Sequence, residues 1–149
     1  MEKFQITINA PREKVWDALW DETSYPVWTA PFSESSQVKT EQWDEGSKVL
    51  FIDGDSGEGM VSKVARNIPG EFMSFRHIGI IKNGVEDTES QQAREWGGEE
   101  NYTLKTINGK TELTVDMDID EKHKSMFEDL WPKALQKVKD LAEGKQAYT

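Results

Sequence analysis

Cysteine is absent from this chain, which removes both a disulfide framework and a thiolate nucleophile. Histidine is nearly absent: with 2 imidazoles in 149 residues, a metal site would have to lean on carboxylates, and none is expected. Positive charge is also scarce. The 18 Lys and Arg residues stand against 28 Asp and Glu, a formal net charge of -10, so most of the surface would repel a phosphate backbone or an anionic bilayer. Nucleic acid and membrane are therefore not expected partners, and the acidity reads as a solubility device rather than a docking signal. No apolar run approaches membrane-spanning length. Residues Met1 to Ala10 alternate instead of showing the basic-then-apolar pattern of a secretory leader, so a cytoplasmic setting is expected. Repeats, low-complexity tracts and linkers are lacking as well, and the length suits one domain over residues 1–149.

What the chain does carry is alternation followed by one long helical period. Phe4, Ile6 and Ile8 alternate with polar neighbours and predict a strand. Asn9-Ala10-Pro11 then predicts a helix start, Asn as cap and Pro in the first turn, before Val15, Trp16, Ala18, Leu19 and Trp20. A short helical turn over Thr23 to Trp28 is interrupted by Pro26 and stopped by Pro31. From Val38 the pattern is extended: strands at Val49–Ile52, Gly59–Ile68 and Phe72–Ile81, then a loop from Lys82 to Arg94. A hairpin at Asn108-Gly109 joins Tyr102–Thr106 to Leu113–Met117. Asp120 to Gly144 is one amphipathic helix, with Phe127, Leu130, Trp131, Ala134, Leu135, Val138 and Leu141 on one face. Such a face needs a surface, and about six strands predict a curved antiparallel sheet beneath it, an α+β architecture.

Few residues carry chemistry. His77 alternates in step with Met73 and Phe75, so an inward face would put its imidazole in the wall of whatever space the sheet and helix enclose. A packed histidine is the preferred reading, because no second catalytic group is positioned by spacing. His123 reads as solvated. Asp53-Gly54-Asp55-Ser56-Gly57-Glu58 departs from a calcium loop at its fifth and twelfth positions and reads as a hairpin turn. Glu99 and Glu100 are neighbours on a strand, face opposite sides and receive no role. Of the 6 tryptophans, Trp16 and Trp20 read as core. Trp28, Trp96 and Trp131 are candidates for a cavity mouth, the last beside a kink expected at Pro132.

Taken in order, Ile8-Asn9-Ala10-Pro11, Val15-Trp16-Asp17-Ala18-Leu19, the pair Trp28 and Phe32, Pro69-Gly70-Glu71, and Trp131 with Ala134, Leu135, Val138 and Leu141 resemble the SRPBCC or START-like superfamily. Within it they resemble the group homologous to activators of the heat-shock-protein-90 ATPase. The resemblance implies a helix-grip fold of the START and Bet v type, with a cavity between a bent sheet and the C-terminal helix. The leading expectation is non-catalytic binding of an apolar or amphipathic small molecule, with no cofactor. Trp28, Phe32, Phe51, Met73, Phe75, His77, Tyr102, Phe127 and Trp131 are the expected ligand-binding residues, with His77 or Tyr102 fixing orientation. A chaperone partner, as for an ATPase activator, and a cyclase- or hydrolase-type enzyme are the alternatives.

Overall fold

The computed structural model describes residues 2–95, 97–119 and 121–144. Eight strands form one antiparallel sheet: β1 (Glu2–Ile8), β2 (Ser36–Lys39), β3 (Lys48–Asp53), β4 (Gly59–Ile68), β5 (Phe72–Lys82), β6 (Val85–Asp87), β7 (Gly98–Ile107) and β8 (Lys110–Met117). The order across the sheet is β1-β8-β7-β5-β4-β3-β2, with β6 paired to β5 off that path. Four helices accompany it, α1 (Arg12–Trp20), α2 (Tyr25–Trp28), α3 (Gln91–Glu95) and α4 (Lys124–Ala142). The sheet curls into a half-barrel and α4 lies across it, which is the helix-grip arrangement.

The curl has local causes. The register between β4 and β5 shifts at Val61/Ser62 and again at Val64/Arg66, and an extra residue on one strand bends it and increases its twist. At the start of β4 the backbone of β3 comes so close that a Cβ on Gly59 would lie 1.9 Å from the Phe51 carbonyl oxygen, so only glycine fits.

The core lies inside this curl. Ile8, Val15, Leu19, Leu113, Val115, Leu135 and Val138 are all buried. An aromatic cluster continues it: the Trp20 ring sits 4.8 Å from Tyr102 and 5.3 Å from Phe75, in edge-to-face contacts. Helix α4 packs on α1, α2 and β1, and Trp131 stacks on Phe4 at 5.8 Å. The chain entering α1 is tied to β8 by the buried Thr111 hydroxyl, which donates to the Ala10 carbonyl at 2.7 Å.

Several local expectations are corrected. Pro11, not Asn9, occupies the cap position of α1, and no side chain caps that helix. The Asn9 N–H donates to the Glu143 carboxylate at 2.9 Å, which ties the chain before α1 to the end of α4. The stretch from Lys82 to Arg94 contains β6 and most of α3 rather than forming a loop; Asp87 organises it by accepting from the Ser90 hydroxyl and from the N–H groups of Glu89 and Ser90. Helix α4 begins at Lys124, and Asp120 lies outside the described residues. Pro132 sits on its exposed side without ending it. The acidic turn after β3 closes on itself: the Ser35 hydroxyl and the Asp55 N–H donate to the Asp53 carboxylate and hold it below the usual carboxylate range. Among the described residues no helix is long and apolar enough to cross a membrane.

If α4 closes the core, removing a side chain from its buried face must be felt globally. Leu135→Ala, at a position 2% exposed, is expected to lower unfolding stability by about 2–5 kcal/mol in urea titrations. A loss under about 1 kcal/mol would show that the helix is not part of the cooperative core.

Candidate ligand cavity

Between the sheet and α4 lies a cavity of about 410 Å³ that opens to solvent. One wall is aromatic. Trp131 faces Phe32 at 5.0 Å, Trp28 at 6.0 Å and Tyr102 at 6.2 Å, and Phe127 meets Phe32 at 6.0 Å. These rings are pinned from behind: the Trp28 indole N–H donates to the Leu19 carbonyl at 3.0 Å, and the Trp131 indole N–H approaches the Met117 sulfur at 2.9 Å. Tyr25 on α2 and Phe51 on β3 extend the wall.

The opposite wall is polar and comes from three adjacent strands. Ser62 on β4 pairs directly with His77 on β5, which brings the serine hydroxyl within 2.6 Å of the imidazole Nδ1. Across the other edge of β5, His77 pairs with Gly98 of β7 and Phe75 pairs with Glu100. The imidazole reaches toward Glu100, and its Nε2 lies 3.3 Å from Glu100 Oε1. Tyr102, two residues beyond Glu100 and so on the same face, donates its hydroxyl to Glu100 Oε2. A neutral imidazole satisfies both its bonds with the proton on Nε2, donating to Glu100 while Nδ1 accepts from Ser62.

Burial and the neighbouring carboxylate act together on the phenols. Tyr102 and Tyr25 are both pushed well above the ordinary phenol range, first by burial and then by the negative charge of Glu100. Ser62 is wholly buried behind His77 and does not line the cavity, so it orients the imidazole and cannot serve as a nucleophile toward a bound molecule. Among the described residues no three His, Asp or Glu side chains converge as a metal site requires.

Seven of the nine side chains singled out from the sequence line this cavity: Trp28, Phe32, Phe51, His77, Tyr102, Phe127 and Trp131. Met73 and Phe75 do not. They share a strand face with His77, but Phe75 is spent packing on Trp20, Trp43 and Phe51, and Met73 is buried in the core. Trp28 and Trp131 are 1% and 3% exposed, so they belong to the cavity floor rather than its mouth; Trp96 lies outside the described residues. His123, expected to be solvated, is half-buried and lines the cavity. Glu100 was missed although its alternation with Tyr102 places it inward, while Glu99 faces out toward Arg76 at 3.7 Å.

No family model matches the sequence, and no curated protein does. Solved structures do match the fold. MLL2253 from Mesorhizobium loti superposes with a TM-score of 0.73 at 14% identity, over 97% of this chain and 98% of that one. The Aha1 dimer from Colwellia psychrerythraea gives 0.65 at 20% identity, over 97% of each chain. DynU16, from the dynemicin biosynthetic locus, gives 0.70 at 18% identity over 97% of this chain, which spans about half (48%) of that protein. The fold is thus the START-like helix grip that the sequence resemblance implied.

Alkaline titration reads the polar wall directly. Tyrosine in the unfolded chain ionises near pH 10, whereas Tyr25 and Tyr102 hold their protons to higher pH in the folded state. Their stabilisation is complete below about pH 10 and is lost as pH rises from there toward the folded values. Phenolate absorbance from these two residues is expected to appear only together with loss of near-ultraviolet dichroism. Their titration near pH 10 in a chain that stays folded would contradict the burial described.

Proposed function

We propose that this protein binds an apolar or amphipathic small molecule in the cavity between the sheet and α4, without transforming it. The observation that carries this reading is the cavity itself: about 410 Å³, walled largely by aromatic rings, with the Glu100–His77–Tyr102 cluster among its polar groups. Small-molecule sites have this form, apolar for affinity with a few placed polar groups for orientation. A ligand burying about 300 Å² of apolar surface gains about 7 kcal/mol before immobilisation is counted, so this term alone sets a ceiling of roughly micromolar affinity and the search should extend to about millimolar. Orientation falls to Glu100 and His77. The Tyr102 hydroxyl is already committed to Glu100 and is less able to serve a ligand.

Acid–base catalysis of a cyclase or hydrolase kind is the second reading, favoured by an imidazole and a carboxylate 3.3 Å apart at one cavity wall. A chaperone partner is supported by fold likeness to Aha1 alone, and a shared fold does not carry a function with it.

A panel of flavonoids, sterols and long-chain amphiphiles tests binding by melting temperature and tryptophan emission. A ligand at about one hundred times its dissociation constant adds about 2.7 kcal/mol, or roughly 5–10 °C for a chain of this size. The reading fails if no member of the panel moves either signal.

A further inference from the structure

The rings of the cavity say that a ligand is apolar; the charges around them say more. Three carboxylates line the space, Glu95, Glu100 and Asp118, against two imidazoles, His77 and His123. No lysine or arginine is among the lining residues described. Even with both imidazoles protonated the carboxylates outnumber them, so the lining is negative in every histidine state. Lys124, next in sequence to His123, is turned to Glu2 at 3.3 Å. The chain's net charge of -10 deepens the same field.

Glu100 is the focus of this arrangement. Its side chain is 16% exposed and its two oxygens each take one bond inside the protein, from Tyr102 and His77. A carboxylate has about four acceptor positions, so roughly two remain for a donor arriving from the cavity. The face of an aromatic ring is negative and attracts a cation, so an aromatic lining favours a cation over an anion. In so apolar a setting Glu100 acts at shorter screening than a surface carboxylate would.

We infer that the cavity selects an amphiphile carrying a protonated amine beside an apolar, ring-sized body, and that it rejects fatty acids and other carboxylates. The inference rests on the reading of this cavity as a ligand site and adds the charge of the ligand to it. The ammonium donates to Glu100 and lies against the aromatic faces, while Glu95 and Asp118 draw cations toward the space. A carboxylate in the same place meets like charge and finds no cationic partner.

Three probes with one skeleton separate charge from shape: 2-(2-naphthyl)ethylamine, 2-(2-naphthyl)ethanol and 2-naphthylacetate, titrated calorimetrically into the full chain at about pH 7. The amine is expected to bind about tenfold tighter than the alcohol, with the carboxylate weakest. Glu100→Gln should weaken the amine about tenfold and leave the alcohol within about twofold. Glu95→Gln, at an exposed position on α3, should narrow the amine-to-carboxylate gap about threefold and serves if the Glu100 variant does not fold. A carboxylate that binds as tightly as the amine, or a gap unchanged in the folded variants, overturns this inference and leaves small-molecule binding standing. Failure of all three to bind overturns both.

Discussion

A carboxylate withdrawn from water has to be met by donors, and the requirement falls in this chain on Glu100. His77 from β5 and Tyr102 from β7 supply them, and Ser62 from β4 holds the imidazole in place. The three strands are adjacent, so the cluster also fixes their register. A slip of one residue in β7 would turn Glu100 and Tyr102 to the outer face and leave the imidazole without its acceptor. Function and fold therefore share one constraint: the geometry that keeps the carboxylate satisfied is the geometry that points it into a cavity.

The rest of the architecture supplies the apolar surroundings that make this carboxylate matter. One extra residue in β5, at Ile78, one in β4, at Ala65, and the glycine-permitted approach of β3 to β4 curl the sheet, and a cavity is left between its concave face and α4. Helices α1 and α2 close one end with Trp20 and Trp28, and Trp131 of α4 spans between Phe4 and the α2 rings. Each indole that faces the cavity has its N–H engaged on the protein side, by the Leu19 carbonyl or the Met117 sulfur. Neither indole N–H is therefore free for a ligand. Glu100 and His77 are the charged or titratable pair of the inner wall best placed to discriminate one ligand from another.

Much of this was legible in the residues, for reasons that can be named. Alternation of Tyr102 with Leu104 and the Asn108-Gly109 turn identify β7, β8 and their hairpin, because a two-residue period and positive backbone angles leave clear traces. The period of α4 is equally plain. Alternation also said that Met73, Phe75 and His77 share a face, and they do; it could not say that Trp20, Trp43 and Phe51 would pack around Phe75 and leave only His77 at the cavity. Which part of a strand face is covered depends on where side chains far away in sequence come to rest. The Asn9 cap failed because α1 begins only at Arg12, which puts Pro11 at the cap position and leaves Asn9 two residues too early. Glu100 was passed over because it was weighed with Glu99 as a pair instead of with Tyr102, its partner on the same face. β6 and α3 escaped notice because both are short and polar, organised by Asp87 rather than by an apolar pattern.

Native mass spectrometry of the protein purified from its own host tests the central claim most directly, with Met60→Trp, at a lining position, as the companion that fills the cavity. The account predicts one equivalent of a small molecule bound to the wild-type chain, released on denaturation and missing from the variant. The same bare mass for both, or a ligand retained unchanged when the cavity is filled, would contradict it.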